Sequence, residues 1–301
     1  MKKKLLIIGF GSAGQRFAKI TKKFFKNFEI YIFSKQKNIK FKTINNFSDI
    51  QKLNPDFFII CSPTSLHFRY LKKINNMFKN KNILIEKPLF HNYKKLKNIK
   101  NKIFVGYNLR ILKLINFVKS FLKKNKKSIY DIYFTNHSYL PTWRKNIDYR
   151  KSSSAKKKFA GGVILDCAHE IDLANWMLGE ISLLSVYKSK KSHLEIETED
   201  NCKIFAKHNN INLLIDLNYY SNCKKREILI LGKNYKLNAD LIKSKVTFFI
   251  NKKSFTKKFD NQEIKKSYLL ELRYFLSKKN KNLASYNSAL LTQKLLQKIK
   301  N

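Results

Sequence analysis

Leu5-Leu6-Ile7-Ile8-Gly9-Phe10-Gly11-Ser12-Ala13-Gly14 is the stretch whose reading decides the fold. Four apolar residues in a row read as a strand buried on both faces. They run into glycines spaced as G-x-G-x-x-G, and an amphipathic run from Ser12 to about Asn27 follows. Strand, glycine turn and helix in this order open a dinucleotide-binding βαβ unit. The first glycine permits the tight turn, the second admits a pyrophosphate to the backbone, and the third lets helix and strand pack closely. The helix N-terminus then turns its unpaired amides to the phosphates. Gly9, Phe10, Gly11, Ser12, Ala13 and Gly14 are therefore the first expected cofactor contacts.

Working outward, short apolar runs alternate with longer amphipathic ones. Glu29 to Phe33, Asp56 to Cys61, Asn82 to Glu86 and Lys102 to Gly106 read as strands. Helices are expected over Ser65 to Lys79 and in the lysine-rich segment between the last two strands. Such alternation predicts a parallel sheet covered by helices. Beyond about residue 115 the pattern changes. A helix near Leu112 to Lys124 precedes a polar, aromatic segment at Tyr130 to Arg150, and one helix is expected from near Gly162 to Gly179. Strand-like runs without helices between them follow: Ile181 to Tyr187, Lys203 to Lys207, Asn212 to Tyr219, Arg226 to Leu231 and Lys245 to Ile250. Helices at Lys265 to Leu276 and Ser285 to Lys300 close the chain. The fold class expected is α/β: a Rossmann dinucleotide-binding domain over 1–115, then an α+β domain over 116–301 with an open, mostly antiparallel sheet.

The residues after the second strand bear on the cofactor. An acid ending that strand grips the ribose 2′-hydroxyl of NAD. Here the place reads Phe33-Ser34-Lys35-Gln36-Lys37. A hydroxyl and two cations suit a 2′-phosphate, so NADP(H) is favoured over NAD(H), with Ser34 and Lys35 as ligands. The alternative, that these lysines belong to a general excess, stays open.

That excess is large. The 301 residues carry 63 Lys plus Arg against 20 Asp plus Glu, a net charge of +43. A balance of this kind raises nucleic acid or an anionic membrane as partner. Only seven of the bases are arginine, however, the residue preferred for bidentate phosphate and base-edge contacts. The other 56 are lysines scattered end to end among 32 asparagines and many Ile, Phe and Tyr, a mixture that A/T-rich codons produce together. Neither nucleic acid nor membrane is expected as partner. No window offers 18 apolar residues for a spanning helix. The apolar run at the start stops at Ile8 and enters glycines, unlike a secretory signal. Cys61, Cys167, Cys202 and Cys223 form no CxxC pair and no His stands at zinc-finger spacing, so neither a disulfide framework nor a metal is expected. The expectation is a soluble cytoplasmic protein.

Further landmarks carry a resemblance. GFGSAG at Gly9 to Gly14, CSPTSLH at Cys61 to His67, EKP at Glu86 to Pro88, VGYNLR at Val105 to Arg110 and GGVILDCAHEIDLANWMLG at Gly161 to Gly179 occur in one order. Together they resemble the Gfo/Idh/MocA family of oxidoreductases, closest to a branch with an HEID-type motif linked to surface-sugar biosynthesis. The resemblance implies that Cys61, Ser62, Pro63, Thr64, His67, Glu86 and Asn108 contact cofactor. It implies that Lys87 lies beside the nicotinamide and the reacting carbon, with His169 as acid/base and Asp166 as its partner or a substrate ligand. Asp172 is expected to be structural. Many relatives place the His four residues after the Asp. Here the spacing is three, which puts Asp166 and His169 on one face of the expected helix. Tyr107, Arg110, Trp143, Arg144, Tyr149 and Arg150 suit a sugar site, where rings stack on pyranose faces and guanidinium groups grip acids or phosphates.

The expected reaction is hydride transfer between NAD(P) and a secondary alcohol carbon of a sugar, sugar acid or nucleotide sugar. The site would lie between the two domains of a homodimer or homotetramer. The rival readings are a cofactor-binding sensor, or a glycosidase-like protein on the same scaffold.

Overall fold

Leu5 to Ile8 are fully buried, as an interior strand of a parallel sheet requires. The structure, a computed structural model, describes residues 2–144, 146–261, 263–278 and 282–301. In chain order the first elements are β1 (Lys3–Ile8), α1 (Ser12–Phe24), β2 (Phe28–Phe33), β3 (Lys42–Ile44), α2 (Asp49–Leu53), β4 (Phe57–Ile60), α3 (His67–Met77), β5 (Asn82–Ile85) and β6 (Lys102–Val105). Then come α4 (Lys113–Asn125), β7 (Ile129–Tyr139), α5 (Val163–Asp166), α6 (Ala168–Leu178), β8 (Ser182–Ser189), β9 (Asn201–His208), β10 (Ile211–Asn218) and β11 (Tyr220–Gly232). The last are β12 (Tyr235–Asp240), β13 (Lys245–Ile250), β14 (Lys253–Lys258), α7 (Glu263–Leu276), β15 (Ala284–Ser285) and α8 (Tyr286–Lys300).

The chain divides into two units, Met1–Asn108 with Ser267–Gln293, and Leu109–Lys266 with Lys294–Asn301. A split at a single point does not describe this, because the chain returns to the first unit. The first unit holds a sheet in the order β15-β6-β5-β4-β1-β2-β3. Its six long-numbered strands β1 to β6 are parallel, and only β15 runs against β6. β4 and β5 are buried at every position, which matches their unbroken apolar runs.

The lysine-rich segment between β5 and β6 is not the expected helix. Its backbone is held piecemeal. Leu96 donates its N–H to the Tyr286 hydroxyl at 2.7 Å, and Phe90 donates to Gln293 Oε1 at 3.1 Å. Both partners lie in the returning segment, out of reach of a local pattern.

The second unit holds an eight-stranded sheet, order β14-β13-β12-β11-β7-β10-β9-β8. It is antiparallel except where β10 pairs β7. β7 was hidden in the polar, aromatic segment; its Ile132, Phe134 and Ser138 are nonetheless buried at strand spacing. α6 packs on β7, and α5 on β9 and β10. On the other face Phe205, Leu214, Tyr133 and Leu229 stand side by side in register, with Phe205 exposed.

α6 is buried from Ala168 to Asn175, so its charged residues need partners. Asp172 meets Arg110 in a bidentate pair, Nε at 2.8 Å and an Nη at 2.6 Å, with side chains 1% and 2% exposed. Glu170 accepts from Arg226 at 2.7 Å. Arg110, expected to contact substrate, has its guanidinium packed against Asp172. Asp172→Asn leaves the Arg110 charge without its counter-ion. It is expected to cost about 3–5 kcal/mol, read from the midpoint of urea unfolding.

Candidate active site

The parallel strands end along one edge, and the ladder carries one residue further at each. Gly9 donates its N–H to Phe33 O at 2.9 Å, Cys61 to Ile8 O at 2.7 Å, Glu86 to Ile60 O at 2.9 Å and Gly106 to Ile85 O at 2.8 Å. The fingerprint, the Cys61 turn, the Glu86-Lys87-Pro88 turn and the Gly106 turn therefore stand in one row. This is the edge where open α/β sheets bind ligands.

The residues present fit a dinucleotide. Gly9 has φ +92°, and a Cβ on it would lie 2.6 Å from the Ser62 nitrogen. A Cβ on Gly11 would meet nothing within 4 Å, so the space over that backbone is open. Gly11 caps α1 without any side-chain hydrogen bond, which leaves the first-turn amides to an incoming anion. After β2 the Ser34 hydroxyl accepts the Gln36 N–H at 3.2 Å, and Lys35 and Lys37 are exposed.

His67 is buried at the start of α3 and its ring spans two loops. Nε2 lies 2.9 Å from Ser62 O, and Nδ1 lies 3.1 Å from Pro88 O and 3.3 Å from Leu89 O. Burial pushes its pKa down, against the pull of the three carbonyls that face its nitrogens. Expected to contact cofactor, His67 stands between the Cys61 turn and the turn that carries Lys87. Pro63 is exposed beside it and Thr64 opens a 3₁₀ turn. Lys87 is partly buried and donates its backbone N–H to Glu86 Oε2 at 3.3 Å. Asn108 is buried and donates Nδ2 to the Ser267 hydroxyl at 2.9 Å; Tyr107 is buried too.

In the second unit the expected single helix is two. It breaks at Cys167, where φ is −94° and ψ is 26°. Asp166 ends α5 and His169 lies in the first turn of α6, so the argument from one helical face does not apply. The Tyr219 hydroxyl donates to Asp166 Oδ2 at 2.6 Å. Burial first, then the Asp166 charge, pushes the Tyr219 phenol well up, so it stays a donor. Glu199 accepts the Ile164 N–H at 3.2 Å and its own carbonyl accepts the Val163 N–H, which fixes the start of α5. Tyr219 and Glu199 went unseen in sequence; only their place at strand ends hinted at them.

Tyr219 also meets Trp143 edge to face at 5.2 Å. Trp143, Arg144 and Tyr149 line a small hollow with Leu140, Pro141 and Ile147. Arg150 stays outside it, held by Asp148 at 2.9 Å and Glu195 at 3.3 Å. No helix among the described residues is long and apolar enough to cross a membrane, and no metal-binding cluster occurs among them.

Residues 3–103 match the Gfo/Idh/MocA family described as an oxidoreductase family with an NAD-binding Rossmann fold. No curated protein sequence matches the chain. Several solved structures share its fold. The WlbA dehydrogenase from Bordetella pertussis, solved with NADH and UDP-GlcNAcA, is 15% identical, with a TM-score of 0.76 over 100% of this chain and 96% of its own. An oxidoreductase from Agrobacterium radiobacter, solved with NAD⁺, L-tartaric acid and magnesium, is 16% identical, with a TM-score of 0.78 over 99% and 95%. The myo-inositol 2-dehydrogenase from Lactobacillus plantarum is 15% identical, with a TM-score of 0.77 over 100% and 96%.

Removing the Tyr219 hydroxyl leaves the Asp166 carboxylate short of a donor. Tyr219→Phe is expected to lose about 1.5–3 kcal/mol of stability, measured by urea unfolding followed through tryptophan fluorescence.

Proposed function

We propose that this chain, whose residues 3–103 belong to the Gfo/Idh/MocA oxidoreductase family with its NAD-binding Rossmann fold, is a nicotinamide-dependent sugar dehydrogenase. It moves hydride to or from a secondary alcohol carbon of a sugar, sugar acid or nucleotide sugar. The observation that carries this reading is the edge of the parallel sheet. The fingerprint on β1 and Lys87 after β5 stand in the same row of strand ends. The relatives solved with NADH and UDP-GlcNAcA, or with NAD⁺ and L-tartaric acid, favour the same class of substrate.

When bound, the dinucleotide supplies the hydride acceptor or donor. The chain supplies the rest. In the oxidation direction His169 takes the proton of the substrate hydroxyl, and Lys87 stabilises the alkoxide that develops as the proton leaves. Asp166, held by Tyr219, steers the imidazole or a neighbouring substrate hydroxyl. His67 and Pro88 aim Lys87, and the Trp143–Arg144–Tyr149 hollow receives an apolar face with an acid or phosphate beside it. The exposed Phe205 row of the second sheet is a face for self-association into a homodimer or homotetramer. Four cysteines, none paired, suit a reducing cytoplasm.

The cofactor is NADP(H) in preference to NAD(H). No acid follows β2, where Ser34, Lys35 and Lys37 stand. Replacing both lysines by alanine is expected to raise the Kd for NADPH about tenfold or more, the worth of two charge-assisted contacts. The Kd for NADH should move less than twofold on the same scale. Cofactor fluorescence titration reads both, and equal effects on the two cofactors discard the preference.

A screen of sugars, sugar acids and nucleotide sugars with NADP⁺ and NADPH, followed by absorbance, tests the activity. On any substrate found, Lys87→Ala and His169→Ala are each expected to lower kcat about 100-fold or more. Full turnover in both variants removes the assignment.

A further inference from the structure

Glu271 of α7 is 0% exposed, and neither of its carboxyl oxygens has a hydrogen-bond partner among the described residues. Buried carboxyl groups in this condition are rare and call for a reason. Its surroundings place it under the row of strand ends. One turn before it, Ser267 accepts from Asn108, the residue that closes the turn after β6. Asn108 is itself buried, and its Oδ1 has no partner. Glu86, ending β5, reaches across Gly106: a Cβ there would lie 2.7 Å from Glu86 Oε2. The charges of Glu86 and Glu271 act on each other and on the Cys61 thiol after β4.

The strand order β6-β5-β4-β1-β2-β3 consists of two mononucleotide halves that meet between β4 and β1. On that reading the fingerprint would take the pyrophosphate at that junction, and Ser34 to Lys37 after β2 would stand toward the adenosine ribose. The nicotinamide nucleoside then falls to the β4–β6 half, where Cys61, Glu86, Asn108 and Glu271 gather. The oxidised nicotinamide ring is a cation and the reduced ring is neutral.

We propose that Glu86 and Glu271 form a proton site linked to the redox state of the nicotinamide. The pair releases a proton when the oxidised cofactor binds, and retains it when the reduced cofactor binds. The inference rests on reading this edge as a nicotinamide dinucleotide site. In the binding step one carboxyl O–H bond breaks and the proton passes to buffer; no electron moves.

The groups facing the pair act in both senses. Burial raises Glu271 well above the ordinary carboxylate range, and Glu86 adds to this. Burial also raises Glu86, against the pull of Lys87 and Arg16. Arg16 of α1 lies 4.2 Å over the Tyr268 ring of α7, and burial keeps that phenol protonated. The Cys61 thiol is pushed far up by burial and by both carboxylates. The two acids are thus the groups poised to titrate upward of their usual range, and a cation arriving beside them draws them toward the charged form. The sign follows. Raising the pH strengthens binding of the oxidised form relative to the reduced one, by at most tenfold per pH unit for one linked proton.

The experiment is isothermal titration calorimetry of the intact chain with the oxidised and reduced dinucleotide. It runs from pH 6 to 9 in pairs of buffers of different ionisation enthalpy. The oxidised form is expected to release about 0.5 proton or more beyond the reduced form. The ratio Kd(reduced)/Kd(oxidised) should rise about threefold or more over some pH unit in that range. Glu271→Gln, an isosteric neutral amide, is expected to flatten both. Equal proton numbers and a level ratio in the wild type overturn the proposal. So does a Glu271→Gln chain that folds, by its melting curve, and keeps both effects. Where Glu271→Gln does not fold, Glu86→Gln takes its place with the same two outcomes. If neither dinucleotide binds, the dinucleotide reading itself falls and takes this proposal with it. Binding of both with no pH dependence removes the proton site alone.

Discussion

Strands that run the same way end on the same edge. In this chain β1 to β6 do so, and the ladder continues for one residue past β1, β4, β5 and β6. That constraint brings Gly9, Cys61, Glu86 and Gly106 into one row although up to 97 residues separate them in sequence. Everything that follows in the first unit is built on the row. The glycines admit a phosphate, His67 locks the second turn to the third, and the third turn presents Lys87.

The second unit solves a different problem. α6 is buried on all sides, yet its sequence contains His169, Glu170 and Asp172. Two of the seven arginines go to this one helix, Arg226 to Glu170 and Arg110 to Asp172. Lysine would not serve equally, since its ammonium cannot form the bidentate pair that seals Asp172. The two acids that follow His169 are thereby fixed in place. One lysine reaches the same helix, Lys119, whose Nζ lies 3.5 Å over the Trp176 ring.

Patterns of short range were legible in sequence: the fingerprint, the apolar runs of β1, β4 and β5, and the turn at Glu86-Lys87-Pro88. What escaped was set by distant contacts. β7 was lost because its inward residues include Ser138 and its outward ones Tyr130 and Tyr133, which blurs the alternation. The segment after Pro88 looked like a lysine-rich helix because nothing nearby reveals that Tyr286 and Gln293 hold it. The break at Cys167 separates Asp166 from the helix of His169, and Glu199, over 30 residues on, holds the first piece. The pairing of Arg110 was out of reach too, since its partner Asp172 lies 62 residues away.

The buried acids of the two units are treated in opposite ways, and the contrast is informative. Glu170 and Asp172 are given arginines. Glu271 is as deeply buried, and the groups that act on it include no cation. In a chain with 63 bases and 20 acids, this is not for want of positive charge. A structural acid in the core would be more stable paired, or replaced by an apolar residue of its volume. An acid kept neutral beneath the ends of β4, β5 and β6 can instead change its charge when a cation comes to that edge. The physical constraint that makes Glu271 costly to bury is the same one that makes it responsive.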